Sequence, residues 1–260
     1  MLKASIADSG SDCMFCQEPK NELPSWGTLL PLFPPSLLCN NCENQLKAIA
    51  GPSCAICSRP QPVNEVCEDC KRWESDPDLQ GILDHNRSLY RYNNIMQEMI
   101  AQWKYRGDAA LALIFRENIR KLYLHHYTGY IPVPIPLSSK RLIERGFNQS
   151  QLLADFTNEP LAFYEKWQLL TRKSSPVPAV LPLLERTIHE EKQSKKSRRE
   201  RLLAKENPFQ LSSAFKFSVN SKNFILLDDI YTTGTTLRKA AKRLKEHGAK
   251  SVCAITLARG

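Results

Sequence analysis

The densest apolar pattern in the chain lies near its C-terminal end, where Phe224, Ile225, Leu226 and Leu227 run together without a polar interruption. A short unbroken run of this kind predicts a strand buried on both faces of a parallel sheet. Leu237, Ala240, Ala241 and Leu244 then recur at helical spacing, and Arg238, Lys239, Lys242, Arg243 and Lys245 occupy the opposite face. Gly248 predicts the end of that helix, and Ser251 to Ala258, SVCAITLA, predicts a second buried strand. The order strand, loop, helix, strand makes the C-terminal part an α/β unit.

Upstream, His85 to Tyr92 predicts a strand. Met96, Met99, Ile100 and Trp103 repeat at helical spacing from Asn94 onward, and the segment ends at Lys104, Tyr105, Arg106, Gly107 and Asp108. A second helix is expected from Ala109 to about Tyr123, with Leu111, Ile114, Phe115 and Leu122 on one face. Tyr130 to Leu137, YIPVPIPL, alternates prolines with branched residues, and three prolines are not expected within one paired strand. The strand should therefore stop near Val133 and pass into a stiff turn from Pro134 to Ser138. Between Leu170 and Pro182, repeated prolines predict an extended connection. The polar stretch from Trp73 to Leu83, with Pro77 and Gly81, reads as a linker that divides residues 1–75 from residues 76–260.

An apolar fraction of 42% over 260 residues is ample for a core. No apolar run reaches the roughly 18 residues that span a bilayer, and no basic-then-apolar leader opens the chain, so a cytoplasmic location is expected. The net charge of +9 is unevenly spread: residues 1–80 hold 6 Lys/Arg against 11 Asp/Glu, and residues 81–260 hold 30 against 16. A polyanionic ligand or nucleic acid would suit the basic part. Its most concentrated stretch is Lys192 to Arg201, KQSKKSRRER, where Lys192, Lys195, Lys196, Arg198 and Arg199 stand with no apolar neighbour, as in a solvated or mobile segment.

Nine cysteines in such a chain suggest metal or redox chemistry. Eight of them form four CxxC pairs, Cys13/Cys16, Cys39/Cys42, Cys54/Cys57 and Cys67/Cys70. A two-residue spacer lets both thiolates of a tight knuckle reach one Zn²⁺, and two knuckles complete a tetrahedral shell. Sequential pairing gives Cys13, Cys16, Cys39 and Cys42 as one site and Cys54, Cys57, Cys67 and Cys70 as a second; interleaved pairing is the alternative. The regular pairing disfavours an iron–sulfur cluster, and a redox CxxC would need a βαβ context that is missing here. Closed four-thiolate shells are structural, and residues 1–75 have few bulky apolar residues outside Leu29 to Leu38 to fold without metal.

The strand at Phe224 runs directly into Asp228 and Asp229, then into Thr232, Thr233, Gly234, Thr235 and Thr236. Ligands of open α/β sheets bind at the carboxyl ends of strands. A hydroxyl-rich loop opening a helix offers unpaired N–H groups to an anion, with Gly234 free to adopt positive φ. Two acids at a strand end also fit a nucleotide-binding strand or a structural ion pair; their immediate register with the loop favours a phosphate site. A Walker A sequence is absent.

These residues resemble the phosphoribosyl pyrophosphate (PRPP) motif of type I phosphoribosyltransferases. The resemblance implies a parallel sheet with helices on both faces, the loop of Thr232 to Thr236 around the 5′-phosphate, and Asp228 and Asp229 as catalytic acids facing ribose and Mg²⁺-bound pyrophosphate. It also implies a pyrophosphate loop after the first core strand, which places Pro136, Leu137, Lys140 and Arg145 at PRPP. A mobile loop closing over the substrate would correspond to the basic run. Arg145-Gly146-Phe147-Asn148-Gln149, downstream of the paired knuckles and upstream of the acid pair, narrows the resemblance to the ComF family of competence proteins and their GntX relatives. What that implies is a PRPP-binding protein of DNA uptake and transformation, with single-stranded DNA, an import helicase and recombination proteins as partners. The alternative is an adaptor or single-strand-binding protein that keeps the fold without turnover. From their chemistry alone, Lys104 and Arg106 suit a phosphate, and Asn148 and Gln149 suit an architectural role.

Overall fold

The computed structural model describes residues 12–20, 36–105, 107–159, 177–186, 207–213 and 219–260. Its main sheet contains β1 (Asn86–Arg91), β2 (Ile131–Pro134), β5 (Asn223–Tyr231) and β6 (Ser251–Arg259), all parallel, in the spatial order β1-β6-β5-β2. A separate antiparallel pair joins β3 (Leu184–Arg186) to β4 (Phe209–Leu211). The basic run lies in the chain between these two strands and outside the described residues, as does Arg106.

Apolar residues that alternate along the interior strands feed two cores. Ile225, Leu227, Cys253, Ile255 and Leu257 face one side, where Met96, Met99 and Trp103 of α3 (Asn94–Tyr105) and Leu153 of α6 (Gln149–Thr157) cover them. Phe224, Leu226, Val252 and Ala254 face the other, under Leu237, Ala240, Ala241 and Leu244 of α7 (Thr235–Glu246). The sheet is thus covered on both faces, and β5 and β6, paired on both edges, carry the uninterrupted apolar runs.

Two local expectations are corrected, and the strand end expected near Val133 is found at Pro134. Ala109–Phe115 is a 3₁₀ helix, and the α-helix proper is α4 (Arg116–His126). Strand β2 keeps two of its prolines, because it is paired to β5 on one side only and its odd residues face β5: the Ile135 N–H donates to Leu227 O at 3.1 Å. Pro132 and Pro134 point their missing N–H away from that ladder, and Pro132 O accepts from the Leu181 N–H on the other side. Arg238 does not lie on a solvated face of α7 but is completely buried.

Residues 73–83 also do more than connect. Trp73 and Glu74 are the last two residues of α2 (Glu68–Glu74), and Leu83 is buried in the core beneath α7.

Candidate functional site

The eight paired cysteines form two built sites. In each, the first knuckle is a turn: the Gln17 N–H returns to Cys13 O at 2.9 Å and the Ser58 N–H to Cys54 O at 3.0 Å, with Gln17 and Ser58 at positive φ. The second knuckle opens a helix, with Cys39 capping α1 (Asn40–Gln45) and Cys67 capping α2, so that Cys42 and Cys70 fall in the first turn. Pairing is sequential: the ligand atoms of Cys13, Cys16, Cys39 and Cys42 lie within 4.8 Å of one another, as do those of Cys54, Cys57, Cys67 and Cys70. Cys16 Sγ to Cys39 Sγ and Cys57 Sγ to Cys67 Sγ are each 3.7 Å. A tetrahedron with Zn–S bonds of about 2.3 Å has edges of about 3.8 Å, so the donor sets fit Zn²⁺, which would cross-link each pair of knuckles. The second site is wholly buried, and the Cys57 thiol is pulled down to about 4 by a hydrogen bond from Cys70 and by the Arg259 guanidinium.

At the opposite end of the chain, β5 carries Asp228 and Asp229 near its C-terminal end and continues to Tyr231, paired with β6. Its other neighbour is shorter, since the β2 ladder ends at Pro134 opposite Leu227. Asp228 therefore has a free side. Its Oδ1 accepts from the Asp229 N–H at 3.0 Å and from Ser150 Oγ at 3.0 Å. Asp229 pairs with Lys104 Nζ, from the last turn of α3. Burial, and then repulsion from Asp229, push the Asp228 carboxyl up to about 7, while Lys104 and the two hydrogen bonds oppose the shift.

This raised carboxyl predicts a pH dependence. Between about pH 4 and pH 7 the folded chain keeps a proton that the unfolded chain releases, so stability falls as pH rises through that window. Asp228→Asn removes the component, and Lys104→Gln, by deleting an opposing charge, extends the window upward. Urea midpoints at pH 5 and pH 8 test this: the gain from Asp228→Asn should be larger at pH 8.

Beyond Tyr231 the loop turns sharply. Gly234 has φ +83°, and a Cβ there would stand 2.1 Å from the Tyr231 hydroxyl, so glycine is required on two grounds. The loop then becomes the N-terminus of α7, with the Thr235 N–H reaching Thr233 Oγ1 at 3.4 Å and the two hydroxyls 2.9 Å apart. Thr232 is exposed; Thr233, Thr235 and Thr236 are half-buried. A helix N-terminus beside threonine hydroxyls can hold a phosphate. Partly exposed carboxylates at the neighbouring strand end suit Mg²⁺, which takes one or two protein carboxylates together with substrate phosphates.

The turn after β2 lies beside this edge. Pro136 and Leu137 are half-buried, and Ser138 caps α5 (Ser139–Arg145) by accepting from the Arg141 N–H. Lys140 is exposed, whereas Arg145 is engaged, donating to Gln149 Oε1 at 2.9 Å and lying over the Tyr105 ring. Asn148 is architectural: it caps α6 and donates to Ile135 O at 3.0 Å, fastening α6 to the turn. Ser150 on that helix is the site residue that sequence reasoning missed. A serine behind a helix cap carries no motif; only the packing of α6 over the short end of β2 brings it to Asp228.

Fold and site together define a phosphoribosyltransferase-type α/β protein with two Cys₄ modules, and a family model described as phosphoribosyl transferase domain matches residues 184–260. Over its whole length the chain is similar to competence protein ComFC of Bacillus subtilis (strain 168), 37% identical over 250 residues, covering 95% of this chain and 94% of the relative. The chain belongs to the ComFC family. It is also 29% identical over 248 residues to competence protein ComFC of Streptococcus pneumoniae, covering 95% and 99% of the two chains. It is 28% identical over 218 residues to the DNA utilization protein YhgH of Escherichia coli K12, covering 76% and 86%.

Proposed function

We propose that this chain binds Mg²⁺·PRPP at the C-terminal edge of its sheet and serves DNA uptake in natural competence as a cytoplasmic protein. The observation that carries the reading is the placement of Asp228 and Asp229 beside the open N-terminus of α7. The backbone N–H groups and hydroxyls of Thr232, Thr233, Gly234, Thr235 and Thr236 hold the 5′-phosphate, and Asp228 and Asp229 take the ribose hydroxyls. Pro136 and Leu137 form the pyrophosphate turn, with Lys140 and Arg145 supplying charge; Arg145 must leave Gln149 to do so. Mg²⁺, when bound, neutralises the pyrophosphate. If transfer occurs, the acids stabilise positive charge developing on the ribose and the cations stabilise the departing anion. Lys192, Lys195, Lys196, Arg198 and Arg199, in the segment between β3 and β4, cover the substrate or meet the phosphates of single-stranded DNA. The names of the relatives and the basic charge of residues 81–260 support DNA as a partner, and the family resemblance adds an import helicase and recombination proteins.

Calorimetric titration of the full chain with Mg²⁺·PRPP tests the reading without a choice of acceptor. Saturable binding of one molecule per chain is expected, absent with Mg²⁺ alone; no heat at millimolar PRPP would sink it. Pyrophosphate release on adding nucleobases or single-stranded DNA then separates a transferase from an adaptor that only binds.

A further inference from the structure

The second cysteine site and the threonine loop are joined by three separate contacts. Helix α2 is capped by Cys67, carries Cys70 in its first turn and, in its last turn, Trp73, whose indole N–H donates to Thr233 O at 2.8 Å. Arg259, at the end of β6, donates to Cys57 Sγ at 3.5 Å and, through its other terminal nitrogen, to Tyr231 O at 3.3 Å and Thr232 O at 3.0 Å. Arg238, in the first turn of α7, pairs with Glu74 Oε1 at 3.0 Å and lies over the Trp73 ring.

These contacts are expensive to bury. Both guanidiniums are withdrawn from water, Arg238 at 0% and Arg259 at 4% exposure, and Glu74 faces only the first of them. Among the described residues, Arg238 Nε and Nη2, Arg259 Nε and the Tyr231 hydroxyl have no hydrogen-bond partner. Buried cations without compensation are strongly unfavourable. Four thiolates around a divalent ion leave a net negative charge, and Arg259 touches that shell directly. Outer contacts of this kind are known to orient a metal site and to be oriented by it. A Zn²⁺ bound by the four thiolates would hold Cys57 under Arg259 and Cys70 in the first turn of α2, and so fix the Arg259 and Trp73 contacts to the carbonyls of Tyr231, Thr232 and Thr233. Those three carbonyls belong to the segment that leads into Gly234, so their placement sets which way the loop N–H groups face.

Building on the reading of the loop as a phosphate site, we propose that Trp73 and Arg259 are positioning residues that couple the Cys54/Cys57/Cys67/Cys70 metal site to sugar-phosphate binding. The coupling is reciprocal: an occupied shell presents the loop in its binding form, and a bound sugar phosphate retains the ion. The first cysteine site, which has no such contact to the loop among the described residues, stands outside it.

The test is zinc release from the full chain to a chelating dye, with and without Mg²⁺·PRPP, alongside calorimetry. Mg²⁺·PRPP is expected to slow the release of one zinc per chain about tenfold and to leave the other unchanged. Trp73→Phe keeps the ring but removes the donor, and Arg259→Lys keeps the charge but cannot bridge sulfur and two carbonyls. Both should retain two zincs per chain, bind PRPP about tenfold more weakly, and lose the protection. A merely structural role would instead lower the melting temperature without altering protection. PRPP heat in the unsubstituted chain with neither zinc protected, or wild-type affinity and protection in Trp73→Phe, overturns the coupling alone. No PRPP heat in the unsubstituted chain overturns the phosphate reading and the coupling with it.

Discussion

Replacing Asp228 and Asp229 together by asparagine is expected to weaken Mg²⁺·PRPP binding by about 100-fold or more, equivalent to about 2.8 kcal/mol. Two carboxyls at one strand end are, among the described residues, what attracts a hydrated cation to this edge, and asparagine presents a carbonyl oxygen of the same reach without the charge. The substitutions should not unfold the chain. Asparagine at 228 can still accept from Ser150 Oγ and from the N–H of residue 229, and it deletes a carboxylate that burial already disfavours. Lys104 loses its partner at 229, but it lies at the end of α3 with solvent within reach of its stem. Binding should therefore collapse while the urea midpoint at pH 8 stays level or rises. Calorimetry and urea unfolding on one preparation decide the matter, and wild-type affinity in the double variant would remove the acids from the site.

That this pair could be found from the sequence follows from its locality. Apolar run, acids, threonine loop and helix are consecutive, so periodicity alone places them at the carboxyl edge of a buried strand. The cysteine sites were legible for the same reason, since each knuckle is a four-residue unit, and the structure supplied only the pairing. What was not legible is non-local. Lys104, read from its chemistry as a phosphate contact, instead pairs with Asp229, and Ser150, which carries no motif, meets Asp228, both across long stretches of chain. Arg238 was misplaced because a charged residue at an outward helical position is normally solvated; here α2 covers it, and its charge is met by Glu74 and the Trp73 face. The prolines of β2 were informative: the strand ends at Pro134, close to Val133, and Pro136 falls in the turn.

The two cysteine sites should differ sharply in what their loss does to the fold. Zinc in small metal-folded units contributes about 10–16 kcal/mol at neutral pH, comparable to the whole stability of an ordinary domain, about 5–15 kcal/mol. Where that energy is felt depends on what the shell is packed into. Cys54, Cys57, Cys67 and Cys70 are all buried within the core that contains Phe224, Leu226, Leu237 and Ala241, beneath the same α7 that opens the site. In the other set Cys16 is exposed and Cys39 half-exposed, and only Cys13 and Cys42 enter a core. A chelator should therefore take zinc in two phases, the Cys13/Cys16/Cys39/Cys42 site first. Cys13→Ser/Cys16→Ser should leave a chain that retains one zinc and melts cooperatively at a lowered temperature. Cys57→Ser/Cys70→Ser puts two hydroxyls where thiolates converged, leaves Arg259 facing no sulfur, and frees α2 from the sheet. It should lose the cooperative transition altogether. Zinc per chain and the melting curve of each variant check the contrast; a Cys57→Ser/Cys70→Ser protein that melts like the unsubstituted chain would show that the core beneath α7 stands without its metal.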